Sequence, residues 1–135
     1  RRLKSMGMTV GVISNTQSRT QVQCNLKRYG LVEEVRPVML SSLAGLRKPH
    51  PALFLAAAGL AGVSAAESLY VGDTYSRDIR GAFAAGFRGS ILISSCMTGR
   101  FTDEIDPNTL PDEIKRNYLS VTKLEEIPGI LERFV

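Results

Sequence analysis

The chain has 135 residues, 44% hydrophobic and 22% charged, with a formal net charge of +4 and two cysteines, a make-up suited to one globular domain able to bury a core. No apolar run reaches the roughly 18 residues of a membrane span, and "RRLKSMG" at the start is basic without a signal peptide's apolar stretch, so a cytoplasmic protein with no membrane partner is expected. The basic residues are scattered singly or in pairs, with no stripe interleaved with aromatics, which argues against nucleic acid and leaves the positive charge as local complementarity to an anion, or as nothing.

Along the chain, "MTVGVIS" (8–14) reads as a strand buried on both faces, followed by a helix over about 17–29 that Gly30 ends. "PVMLSS" (37–42) is a weaker edge strand, and Pro51 opens a helix through "PALFLAAAGLAG" at the first-turn position where proline is tolerated. "SLYVGD" (68–73) and "GSILIS" (89–94) are two more buried strands, and the helix between them begins near Ser76 and closes at Gly86. Residues 95–117 form a long polar connection with a helical turn after Pro111. "YLSVT" (118–122) is the last strand, and Thr122 with Glu125 has capping-box spacing before a terminal helix that Pro128 interrupts or restarts. Cys24, in a predicted helix, and Cys96, in a predicted loop, read as two free thiols. This alternation predicts an α/β fold with a mainly parallel sheet and one domain over 1–135. The chain lacks an initiator methionine and opens inside what reads as a helix end, so a fragment of a longer protein is expected.

In such a sheet, ligands collect at the carboxyl ends of strands, and three polar features fall there. Ser14 closes the first strand, where a hydroxyl beside a helix N-terminus suits a phosphate oxygen; alternatively Ser14 or Thr16 only caps the helix. Lys48, in "LRKPHP", has a backbone restricted by Pro49 and can neutralise a phosphate or a carboxylate, or simply be solvated. Arg47 reads as solvated, and His50, the only histidine, as a capping or surface residue rather than a base. Asp73 and Asp78 would crowd negative charge after one strand, and Mg²⁺ held by one or two carboxylates plus water and substrate phosphate resolves such crowding. The alternative is that Asp78 complements the helix dipole while Asp73 caps a turn.

Taken in order, "VGVISNT", "GLRKPHPALF" and "VGDTYSRDIRGAFAAG" resemble motifs II, III and IV of the haloacid dehalogenase superfamily, particularly its phosphatase-like members, over roughly residues 1–94 and more weakly to the end. The resemblance implies a three-layer Rossmann-like core, a small phosphorylated substrate and Mg²⁺ as cofactor. It implies that Ser14 binds the transferring phosphoryl group with Asn15 adding a backbone donor, that Lys48 holds the phosphate and steadies the nucleophile, and that Asp73 and Asp78 bind Mg²⁺ directly or through water. A dehalogenase in the strict sense is expected less than a phosphatase, because a halide leaving group has no use for the full Mg²⁺ site.

One departure matters. The family's motif I supplies the attacking aspartate from a strand ahead of motif II, yet none of the first 72 residues here is Asp, so the nucleophile, that strand and any cap are absent from this sequence. The expected function is Mg²⁺-dependent phosphomonoester hydrolysis through an aspartyl-phosphate in a parent protein, this chain alone being inactive. The rival is a non-catalytic phosphate- and metal-binding or regulatory protein on the same fold. With the central strand missing, strands 8–14 and 68–73 are expected either to pair directly or to be bridged, by another copy of the chain or by a missing N-terminal segment that completes the sheet.

Overall fold

Every strand pairing among the described residues is parallel, as the alternation of short apolar runs with helices requires. The computed structural model describes residues 1–94 and 106–134; Cys96 and the first part of the polar connection lie outside the described residues. The chain falls into two compact units, Arg1–Ser64 and Ala65–Val135, and the expected α/β class holds in each.

The first unit contains α1 (Arg2–Ser5), β1 (Val12–Ser14), α2 (Gln21–Arg28), β2 (Val38–Leu40), α3 (Ser41–Ala44) and α4 (Pro51–Ala61). β1 pairs with β2 in the register Val12 to Val38 through Ser14 to Leu40. It is shorter than the apolar run 8–14, because upstream of Val12 single contacts replace a ladder: the Arg36 N–H donates to Val10 O (2.8 Å) and the Val12 N–H to Pro37 O (2.9 Å). Gly11 allows this approach, since a Cβ there would stand 2.9 Å from the Pro37 carbonyl oxygen.

α2 starts at Gln21, later than the predicted 17. Ser18 Oγ accepts from the Thr20 N–H (3.3 Å) and the Gln21 N–H (3.0 Å), so Ser18, rather than Ser14 or Thr16, meets the first donor of the helix. Gly30 ends the helix as expected. It adopts φ +63°, with its N–H on Lys27 O and that of Leu31 on Leu26 O, the reciprocal pair of a Schellman stop. In α4, His50 Nδ1 accepts from the Ala52 N–H at 3.2 Å, confirming the capping reading of this histidine. Leu53, Phe54, Ala57 and Ala58 of α4 are buried, as are Leu26, Val35 and Leu40.

The second unit contains β3 (Leu69–Gly72), α5 (Arg80–Ala84), β4 (Gly89–Ile93), α6 (Asp112–Arg116), β5 (Tyr118–Val121) and α7 (Ile127–Ile130). Its strand order is β3-β4-β5. β4 is therefore central, and four of its five residues are buried, which is why "GSILI" reads as an unbroken apolar run. A π-helical turn, Tyr75–Ile79, precedes α5, so the regular helix begins four residues after the predicted Ser76. Ile79, Ala82, Phe87, Ile91, Val121 and Phe134 are among the buried side chains of this unit.

β1 carries one ladder, to β2, and β3 carries one, to β4. Among the described residues each of these ladders joins strands of one unit. Among the described residues no helix is long and apolar enough to cross a membrane.

The terminal cap is shifted by one position from the predicted Thr122 and Glu125. Glu126 Oε1 accepts from the Thr122 N–H (3.1 Å), the Thr122 hydroxyl (2.9 Å) and the Lys123 N–H (2.7 Å). The Thr122 hydroxyl first, and then the Lys123 backbone donor, hold the Glu126 carboxyl below its ordinary value of 4.5, because both bond the charged form. A depressed folded pKa means that this contribution to stability is fully present above pH 4.5 and is lost as pH falls through the folded value. Glu126→Gln should therefore flatten the decline of the urea midpoint below pH 4.5; an unchanged slope would show that the cap does not contribute.

Candidate functional site

In the first unit, β1 ends at Ser14 and the chain turns through a loop that side chains pin at two successive residues. The Asn15 side chain grips a remote peptide: its Oδ1 accepts from the Lys48 N–H at 2.8 Å and its Nδ2 donates to the Lys48 carbonyl at 3.1 Å. Thr16 is held by Ser41, whose Oγ accepts from the Thr16 N–H (2.9 Å) and donates to the Thr16 carbonyl (3.0 Å). The Ser42 hydroxyl donates to the Ser18 carbonyl, and the Thr16 hydroxyl accepts from the Ser18 N–H. The Thr16 N–H is thus committed within the fold, leaving the Ser14 hydroxyl and the loop's remaining donors for any anion.

Lys48 sits in a tight turn that the His50 N–H closes onto the Arg47 carbonyl at 2.9 Å, and its peptide to Pro49 is cis. Arg47 is exposed and Lys48 half-buried. The structure therefore brings Asn15 and Lys48 together through side chain and backbone, although 33 positions separate them. Ser41, which fixes the loop from the start of α3, carries no signal in the sequence beyond its place just after a strand.

In the second unit, Asp73 and Asp78 belong to one turn but play opposite parts. Asp78 is 1% exposed. Its Oδ2 accepts from the backbone N–H groups of Asp73 (3.1 Å) and Thr74 (3.0 Å), while its own N–H donates to the Thr74 carbonyl (2.8 Å). The carboxylate lies over Gly72 so closely that a Cβ at that position would collide with Asp78 Cβ, Cγ and Oδ2. Glycine at 72 and aspartate at 78 form one packed unit. The turn is capped by Asp78 and not by Asp73, the reverse of the alternative drawn from the sequence.

Asp73 itself is exposed. Among the described residues its carboxylate accepts a single hydrogen bond, on Oδ1 from the Thr74 hydroxyl at 3.1 Å. Arg77 Nη2 donates to that same hydroxyl oxygen at 2.8 Å. A guanidinium can only donate, so the one hydroxyl hydrogen of Thr74 is directed to Asp73. Tyr70, in β3 and edge-on to Phe87 at 6.5 Å between centroids, completes the surroundings. Burial first, and then the charge of Asp78 and a hydrogen bond to it, push the Tyr70 phenol far above its ordinary value. It stays protonated beside the buried carboxylate. Thr74, Arg77 and Tyr70 were not singled out in the sequence; the placing of Thr74 and Arg77 between the two aspartates was the available signal.

These donors suit a hard cation, because the Asp73 carboxylate is exposed and held by one neutral hydrogen bond. They do not make an all-protein cage: among the described residues no group of three His, Cys, Asp or Glu could hold a metal ion. Such a site suits a cation that keeps several waters and takes one or two carboxylates, the habit of Mg²⁺.

A family model described as haloacid dehalogenase-like hydrolase matches residues 1–91. Among curated relatives, the glyceraldehyde 3-phosphate phosphatase of Methanopyrus kandleri is 37% identical over 62% of this chain and 36% of its own length. That of Methanothermobacter thermautotrophicus is 32% identical over 96% of this chain and 53% of its own. The chain thus spans about a third to a half of the relatives it matches. The crystal structure of an HAD phosphatase from Thermococcus onnurineus shares the fold, with a TM-score of 0.74 at 24% identity over 96% of this chain and 53% of that one.

Proposed function

The chain belongs to the haloacid dehalogenase-like hydrolases, and from that premise we propose that it supplies the phosphate- and Mg²⁺-handling residues of a phosphomonoester hydrolase acting on a small phosphorylated substrate. The observation that carries the reading is the Asp73 turn, where a buried carboxylate is spent on holding the backbone and an exposed one is held outward. An arrangement that served stability alone would not need Asp73; one that binds a cation at a phosphate would.

In this reading Asp73 is the direct ligand of Mg²⁺, and Asp78 fixes the turn that presents it. When bound, the ion supplies neutralisation of the charge on the phosphoryl group. The Ser14 hydroxyl donates to a phosphate oxygen, and the Lys48 ammonium opposes the charge that develops in transfer. The attacking carboxylate of an aspartyl-phosphate route comes from a segment of the parent protein outside these 135 residues, since no aspartate precedes Asp73 here. The glyceraldehyde 3-phosphate phosphatases among the relatives make a phosphorylated three-carbon aldehyde a first substrate to try.

The test is turnover of p-nitrophenyl phosphate. The 135-residue chain should stay at background, whereas the parent protein should hydrolyse it in the presence of Mg²⁺. Turnover by the chain alone that Lys48→Ala abolishes would mean that the nucleophile is misplaced. A parent protein that binds Mg²⁺ and phosphate without turnover would favour the rival, non-catalytic reading.

A further inference from the structure

A lysine side chain carries its charge on a flexible four-carbon stem, so an ammonium that must meet a phosphate at one place depends on how firmly its backbone is held. Lys48 is held by Asn15. The two hydrogen bonds, 2.8 Å and 3.1 Å, engage both the N–H and the carbonyl of the same residue and are partly buried. This is the two-bond exchange of a strand pair, made by a side chain. A primary amide carries the donor and the acceptor this needs on two separate atoms, whereas a carboxylate would face the Lys48 carbonyl with an oxygen.

The anchor is itself anchored. Thr16, the next residue, is tied through both its backbone groups to Ser41, and Ser14 on the other side is paired with Leu40 in the β1–β2 ladder. The turn Arg47–His50 and Pro49 restrict Lys48 from its own side. We propose that Asn15 is the positioning residue for Lys48: its side-chain amide sets the place from which the ammonium meets a phosphate, which rests on the phosphate reading of Lys48 above. Asn15 thus acts through its side chain, in addition to any backbone donor it offers.

The experiment uses the 135-residue chain and inorganic phosphate as the probe, with binding followed by NMR and amide hydrogen exchange read at Lys48. In Asn15→Ala and in the isosteric Asn15→Asp, exchange of the Lys48 amide should quicken in the first and the phosphate dissociation constant should rise on the order of tenfold in both. Lys48→Ala should weaken binding as much, and the double variant Asn15→Ala with Lys48→Ala should be no weaker than Lys48→Ala alone, because Asn15 acts only through Lys48. Unchanged thermal melting of Asn15→Asp separates this from loss of the fold. Phosphate binding by both Asn15 variants at the wild-type constant, with Lys48→Ala still defective, would overturn the positioning role and leave the phosphate reading standing. Additive losses in the double variant would also overturn it. Failure of the wild-type chain to bind phosphate, or indifference to Lys48→Ala, would overturn the phosphate reading and the positioning role with it.

Discussion

Asp78→Ala is expected to destabilise the second unit by roughly 2 to 5 kcal/mol, read as a fall in the urea midpoint. The Asp78 side chain is buried, and its Oδ2 satisfies the N–H groups of both Asp73 and Thr74. Alanine leaves these two backbone donors without an acceptor under a turn that water reaches poorly and takes away the partner of the Tyr70 hydroxyl, and each such group costs about 1 to 3 kcal/mol. Asp78→Asn keeps a carbonyl oxygen of the same shape and should cost less than half as much. Gly72→Ala tests the same packing from the other side, because its Cβ would strike Asp78; it should destabilise by about 1 to 3 kcal/mol. Combining Gly72→Ala with Asp78→Ala should cost less than the sum, since the second change removes Cγ and Oδ2, two of the three Asp78 atoms with which the first collides. A strictly additive pair would show that the two residues do not act as one unit.

The second large effect is on the metal. Asp73→Asn should weaken Mg²⁺ binding by a factor of at least 10 in isothermal titration, on the order of what loss of a ligand or its support costs at metal sites. The fold should be unaffected, as Asp73 is exposed and accepts one hydrogen bond that an amide oxygen can also accept. Asp106→Asn is the control: that carboxylate accepts from the N–H and the side-chain amide of Asn108 in an exposed turn and should leave Mg²⁺ binding unchanged. Equal losses from both substitutions would remove Asp73 from the metal site. Read together, the two experiments separate the two aspartates: one sets the stability of the turn, the other its affinity for the cation.

The division of labour inside "VGDTYSRD" was only partly legible. The sequence places Asp73 at a strand end and Asp78 in the following turn, and repulsion between two carboxylates motivates a cation. It does not say which of them is buried. That is decided by the π-helical turn Tyr75–Ile79, which carries Asp78 back beneath the chain onto Gly72 and leaves Asp73 facing outward. Once Gly72 is recognised as the residue over which Asp78 closes, the glycine has a reason that strand propensity alone did not provide.

Much of the architecture follows from short-range preference. The stops at Gly30, Gly62 and Gly86 all lie at positive φ, which the absent Cβ permits. Pro51 opens α4 and His50 caps it. The unbroken apolar run of β4 marks a central strand, and the alternation of runs and helices marks parallel pairing. These are matters of a few adjacent residues, and an order of residues suffices to state them. What required the tertiary structure was contact across sequence distance: the shortening of β1, whose upstream residues meet β2's approach at Pro37; and the clasp of Asn15 on Lys48, 33 positions away. A side-chain amide can bond many backbones equally well, and only the folded chain brings one of them within reach.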